Sequence, residues 1–193
     1  MDEGEGGRPP VCAGIPHGKE VKAPGFPQVR EAVAPMKEQV IACLAERGVR
    51  LSDVAHLVLQ FWEPKVPDLT LAECEESVEH VIAKRETQYA LLTGIALDAL
   101  AERGLLPQPL QDAVASDEPL FGVDEVLALA VTNLYGSVGL LGFGYLDKLK
   151  PGILGRLNRA KGGQVHTFLD DLIAAIAAAA GARIAHQRLG GPA

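Results

Sequence analysis

Apolar residues first fall into helical spacing at residue 36. Before that point, residues 1–35 carry six glycines, six prolines and scattered charge without periodicity, the composition of a flexible tail. Pro35 suits a first helical residue, and Met36, Val40, Ile41 and Leu44 then recur every three or four positions until Gly48. Ser52 is placed to cap a second helix carrying Val54, Leu57, Val58 and Phe61, ended by Pro64. Thr70 and Glu73 form a capping-box pattern ahead of Cys74, Val78, Val81 and Ile82. Another helix follows through Tyr89, Leu92, Ala96, Ala99 and Leu100. Ala-Glu-Arg-Gly closes a helix twice, at residues 45–48 and 101–104, with arginine in the last turn and glycine just beyond.

The second half is more apolar. A helix is expected from Gly122 to about Ser137, then a glycine-rich loop through Gly139, Gly142 and Gly144 to Asp147, because glycine weakens a helix interior. Pro151 opens a short basic helix ending near Gly162. Thr167, with Asp170 in the capping-box position, begins a last helix that is apolar all round after Asp171, as befits a helix surrounded by others. No convincing run of alternating strands interrupts the pattern. The expected fold class is all-α, with residues 36–193 forming one compact domain of six or more helices around an apolar central helix.

Composition sharpens this picture. The 27 alanines favour closely packed helices, and the formal net charge of −7 argues against a nucleic-acid binder. That charge is unevenly spread: residues 1–125 sum to −11 and residues 126–193 to +4. Five of the seven basic residues in the second part are Lys148, Lys150, Arg156, Arg159 and Lys161, a local basic field suited to a phosphate or a lipid headgroup or, more plainly, a solvated face. Cys12, Cys43 and Cys74 are an odd set without metal-ligand spacing, and the N-terminus has no apolar signal-peptide core, so a cytoplasmic chain is expected. The uncharged run from Val126 to Leu146 is long enough to span a bilayer, but its glycines favour a buried helix and loop over a transmembrane span.

Two helices begin alike, with Asp124-Glu125 and with Asp170-Asp171 ahead of the most apolar runs in the chain. Acidic first turns offset the helix dipole, which is the plain reading of both pairs. Carboxylates beside such apolar helices are nevertheless costly unless they are paired or hold a metal. With Asp147 between them, three elements can deliver hard oxygen ligands to one Mg2+. Lysines beside Asp147 would then suit phosphoryl transfer, in which a metal activates water and cations stabilise the phosphate. An exposed loop with a routine ion pair remains the alternative.

Taken together, Gly122-Val-Asp-Glu-Val-Leu-Ala-Leu, Asn133-Leu-Tyr-Gly-Ser-Val-Gly, Phe143-Gly-Tyr-Leu-Asp-Lys-Leu-Lys-Pro-Gly and Thr167-Phe-Leu-Asp-Asp-Leu-Ile-Ala-Ala-Ile resemble the phosphatidylglycerophosphatase A family, and most of all its soluble branch, which includes low-temperature requirement C proteins. The resemblance covers roughly residues 36–187. It implies an all-α fold and Mg2+-dependent removal of the terminal phosphate from phosphatidylglycerophosphate. It also implies metal ligation by Asp124, Glu125, Asp147, Asp170 and Asp171, with Asp124, Asp147, Asp170 and Lys150 in catalytic roles. Lys148, Lys150 and Arg156 are the expected substrate-binding residues. The expected partners are a phosphorylated glycerolipid or another phosphomonoester, an anionic membrane surface touched peripherally, and a second copy of the chain, but no nucleic acid.

Rival readings attach to other residues. Glu73, Glu76 and Glu79 resemble the E-x-x-E of all-α nucleotide pyrophosphohydrolases, but the later E-x-x-D is missing and a solvated helix face explains them. A non-catalytic helical module, whose acidic pairs only cap helices, is the other alternative. His166, near Asp170, matches no family position and is expected to be a bystander.

Overall fold

The computed structural model describes residues 35–118, 120, 122–159 and 163–189. Nearly all of the expected tail, Cys12 and Lys161 lie outside the described residues. Among those described there is no strand, and the elements are α1 (Met36–Glu46), α2 (Leu51–Trp62), α3 (Leu71–Ile82), α4 (Arg85–Glu102), α5 (Leu110–Ser116), α6 (Glu125–Thr132), a 3-10 turn (Asn133–Tyr135), α7 (Gly136–Leu149), α8 (Ile153–Asn158) and α9 (Leu169–Leu189). The fold is all-α, as the pattern predicts.

Helix α9 is the axis. Its run Leu172–Ala182 is buried on every side, with α2, α3, α4, α6, α7 and α8 packed around it. Alanine and glycine make this possible by letting neighbours approach the backbone closely. A Cβ on Gly181 would lie 1.8 Å from Trp62 Nε1, and one on Gly94 of α4 would lie 2.4 Å from Leu172 Cδ1. The two Ala-Glu-Arg-Gly stops behave as expected: α1 and α4 end there, and Gly48 and Gly104 take φ of 73° and 66°.

Several boundaries differ from expectation, each for a physical reason. The glycine-rich segment is helix α7, not a loop, because Gly139 and Gly142 are packing slots. A Cβ at Gly139 would stand 2.9 Å from the Thr132 carbonyl, and one at Gly142 would stand 3.4 Å from Ala178 Cβ. The break falls earlier, at the 3-10 turn and Gly136, whose φ of 66° favours glycine. This break divides Glu125–Leu149, a stretch long and apolar enough to cross a membrane, in which an 18-residue window has a mean hydropathy of 1.7 and 39% of its residues buried. Helix α2 starts at Leu51, with the Asp53 carboxylate accepting the Arg50 N–H, so Ser52 lies inside the first turn. Helix α6 begins at Glu125 behind Asp124, three residues later than the pattern suggests. Helix α8 is confined to Ile153–Asn158, and α5 is a helix the pattern does not mark.

Thr167 does not cap α9. Its hydroxyl donates instead to the Val114 carbonyl at 2.8 Å, and the free amides of Phe168 and Leu169 donate to the two carboxylate oxygens of Asp98 on α4, at 3.1 and 3.0 Å. A side chain some seventy positions away therefore does the work assigned to the local threonine.

Candidate functional site

Helix α7 closes at Lys150, whose N–H donates to the Leu146 carbonyl at 2.8 Å and whose φ is 45°. The left-handed conformation costs a non-glycine residue about 1–2 kcal/mol. In this turn the Lys150 ammonium meets carboxylates from two helices. Nζ donates to Asp147 Oδ1 at 2.5 Å, to Asp170 Oδ2 at 2.8 Å and to Asp171 Oδ1 at 2.9 Å. Asp170 also accepts the Asp171 N–H at 2.9 Å, so the first turn of α9 fixes its own acidic pair.

The charges do not balance. Three carboxylates surround one ammonium, and Asp170 and Asp171 are each only 5% exposed. Burial, followed by the neighbouring Asp170 charge, pushes the Asp171 carboxyl up to about 8 against the pull of Lys150. Asp170 is raised as well, chiefly by burial, with Lys150 opposing. Burial by itself would lower the Lys150 pKa, but the Asp170 charge and the bonds to Asp147 and Asp170 hold it above the ordinary lysine value. Surplus negative charge on hard oxygen donors fits a hard divalent cation, and Asp147, Asp170 and Asp171 are the residues able to hold one. Among the described residues no three acidic, histidine or cysteine side chains already stand as a metal cage. Their shared point belongs to Lys150.

The other predicted residues make their polar contacts elsewhere. Asp124 Oδ1 accepts the Glu125 N–H at 3.2 Å, and Glu125 Oε2 lies 4.0 Å from the position a Cβ on Gly122 would take. No hydrogen bond or ion pair among the described residues joins Asp124 or Glu125 to Lys150. Helix α6 does pack on α9, so the pair stands at the start of a neighbouring helix. Lys148 is exposed on α7. Arg156 turns toward the α1–α2 corner, donating to the Gly48 carbonyl at 2.7 Å and lying 3.7 Å from Asp53 Oδ2. The guanidinium of Arg159 lies over Gly155.

Glu73, Glu76 and Glu79 are occupied on the face of α3. Glu73 caps Thr70 and pairs with Arg188, Glu76 pairs with Arg183 at 3.5 Å, and Glu79 pairs with Lys37 at 3.0 Å. This is the solvated face expected of them. His166 is buried with Nδ1 3.3 Å from Arg47, and burial followed by that positive charge lowers its pKa.

Sequence reasoning missed Asp98 and Asp117. Asp98 is fully buried, and burial pushes its carboxyl up to about 7 despite the two backbone N–H bonds. An aspartate in the middle of an otherwise apolar helical pattern was the available signal. Asp117 takes φ of 53° just after α5, and its charge helps raise Asp170. It borders a cleft of about 250 Å³ shared with Asn158, Gln164, His166 and Thr167.

Residues 41–186 match the model of the family described as phosphatidylglycerophosphatase A. The chain is 52% identical over 157 residues to the Bacillus subtilis (strain 168) protein YutG, covering 81% of this chain and 95% of that one. It is 54% identical over 143 residues to YpjQ of the same organism, covering 74% and 80%. The crystal structure of the low temperature requirement C protein from Listeria monocytogenes superposes with a TM-score of 0.77 at 52% identity, over 80% of this chain and 97% of that one. The chain belongs to the phosphatidylglycerophosphatase A family.

Proposed function

We propose that this chain is a Mg2+-dependent phosphatase that removes the terminal phosphate of phosphatidylglycerophosphate or a related phosphorylated glycerolipid. The observation that carries the reading is the meeting of Asp147, Asp170 and Asp171, from two helices, with negative charge in surplus over the single ammonium of Lys150. Asp147, Asp170 and Asp171 would hold the Mg2+, which would supply Lewis-acid chemistry toward the phosphoryl group and an attacking water. The protein's own part is to aim these carboxylates at one point, and to keep a lysine within reach of the charge that develops on the phosphate. Asp124 and Glu125 serve from the neighbouring start of α6.

The lipid character of the substrate is supported by α7. At 3.6 residues per turn, Leu140, Leu141, Gly144, Tyr145 and Lys148 share the outward arc of this helix, and Asp147 lies at one edge of it. Leu141 is 74% exposed, and Leu140, Tyr145 and Leu149 are exposed as well. A shallow groove of about 420 Å³ follows, between Val138, Leu141 and Tyr145 on α7 and Phe61 and Trp62 at the end of α2, with Lys65 just beyond that helix. Lys65 lies over the Phe61 ring at 3.9 Å, so an exposed cation flanks the apolar surface. An apolar face bordered by lysines and ending at the carboxylate cluster suits the acyl portion and surface of an anionic lipid.

Phosphate release from a substrate panel tests the reading. Phosphatidylglycerophosphate in mixed vesicles should be hydrolysed with Mg2+ and spared in EDTA, and a short-chain analogue should turn over more slowly. Release from nucleoside triphosphates but not from the lipid would overturn it.

A further inference from the structure

Every residue from Val165 to Leu169, the segment entering α9, is tied by a polar contact to another part of the fold or to the helix it begins. The Val165 N–H donates to Glu102 Oε1 at 2.8 Å, and the Val165 carbonyl accepts from Arg47. Arg47 also pairs with Glu102 at 2.7 Å and approaches His166 Nδ1. The His166 carbonyl accepts the Asp170 N–H at 3.2 Å, and Thr167 is tied to Val114. Phe168 and Leu169 are tied to Asp98. Asp98 and Glu102 stand four residues apart on α4 and so share one helix face. A cap by a local serine or threonine would satisfy one or two amides at little cost. A fully buried carboxylate brought from another helix is expensive, and it joins α4 to the turn that carries Asp170 and Asp171.

We infer that Asp98 is a positioning residue for the candidate centre, fixing the first turn of α9 so that Asp170 and Asp171 face Asp147 and Lys150. From Leu172 to Ala179 the packing of α9 is apolar, and the polar ties of its far half, Ser77 to the Ala180 carbonyl at 2.9 Å and Glu76 to Arg183 at 3.5 Å, lie two or more turns from Asp170 and Asp171. Two hydrogen bonds, donated by the Phe168 and Leu169 N–H groups to one carboxylate at 3.1 and 3.0 Å, fix both the depth and the rotation of the first turn. A displacement near 1 Å in a catalytic group can cost about 100-fold in rate. Glu102 and Arg47 brace the preceding residues, so Asp98 completes a clamp at the point where α9 begins. The inference rests on the reading that the α9 carboxylates form the reactive centre.

The test uses the full chain with Asp98→Ala, Asp98→Asn and, as a control, Val40→Ala, a buried truncation in α1. Phosphate release and Mn2+ uptake by titration calorimetry are measured at a temperature where all the variants are folded. Asp98→Ala should lower kcat at least 10-fold with KM changed less than 3-fold, and weaken Mn2+ binding at least 5-fold. Asp98→Asn, which keeps one acceptor oxygen, should fall between Asp98→Ala and the unaltered chain, and it stands in if Asp98→Ala does not fold. Val40→Ala should lose thermal stability but retain kcat per folded molecule and Mn2+ affinity. Folded Asp98 variants that match Val40→Ala in both readouts would overturn the inference while leaving the phosphatase reading intact. If the unaltered chain binds Mn2+ but shows no phosphatase activity, the functional reading fails and Mn2+ affinity still judges Asp98. If it shows neither, both fall together.

Discussion

Replacing Lys150 by methionine keeps the length of the side chain and removes the charge at the centre of the cluster. Three carboxylate contacts, at 2.5, 2.8 and 2.9 Å, are lost together. Breaking a buried ion pair costs about 3–5 kcal/mol, because the remaining charges are left without compensation. Lys150 and Asp147 retain 23% and 27% of their side-chain exposure, so water softens the loss to about 2–3 kcal/mol. The loss depends on pH in a definite direction. The Asp171 carboxyl, already raised to about 8 in the fold, rises further when its cation is removed. A carboxyl raised on folding contributes stability below its unfolded pKa, near 4, and loses it as pH climbs through the folded value. Lys150→Met should therefore cost only about 1 kcal/mol at pH 6, where Asp171 can hold its proton, and the full amount at pH 9. Urea midpoints in EDTA at the two pH values provide the assay, and Mg2+ should restore more of the loss in the variant than in the unaltered chain. Equal midpoints for variant and unaltered chain at pH 9 would refute the reasoning.

Asp98 gives a second pH signature: its carboxyl, raised to about 7 by burial, should make stability fall between pH 4 and pH 7 by up to about 4 kcal/mol, and Asp98→Asn should flatten that slope in urea titrations. Gly181→Ala should cost about 3 kcal/mol, seen as a lower Tm, because its Cβ would overlap the Trp62 indole. Gly144→Ala on the open face of α7 should instead raise stability by up to about 1 kcal/mol, since nothing lies within 4 Å of the new atom. Arg156→Ala should leave hydrolysis of a soluble phosphomonoester unchanged and weaken activity only on anionic vesicles, at low salt, as phosphate release in the two formats will report.

Local chemistry was the legible part. The Thr70–Glu73 cap, the glycine stops after α1 and α4 and the all-apolar body of α9 depend on residues within a turn of one another, and the sequence pattern places each correctly. The meeting of Asp147 with Asp170 and Asp171 joins two of the three acidic blocks legible beside apolar helices. No hydrogen bond or ion pair among the described residues joins the third, Asp124-Glu125, to them, and the pattern carried no sign of where the Lys150 ammonium would sit. The rest depends on contacts between distant segments. Gly139 and Gly142 read as helix breakers until Thr132 and Ala178 occupy the space their missing side chains leave. Thr167 reads as a cap until Val114 accepts its hydroxyl and Asp98 takes the amides. Propensity describes a residue alone, whereas tertiary packing decides which of its local options survives.

The central claim is that the carboxylates meeting at Lys150 hold the Mg2+ on which phosphate release depends. The most direct measurement is initial-rate phosphate release from phosphatidylglycerophosphate at saturating substrate, across a Mg2+ titration, for the unaltered chain, Asp147→Asn and Asp170→Asn. The account predicts Mg2+-dependent turnover in the unaltered chain, absent in EDTA, and a loss of at least 100-fold in kcat for both variants at every Mg2+ concentration. Full, Mg2+-requiring turnover by Asp147→Asn and Asp170→Asn would contradict it.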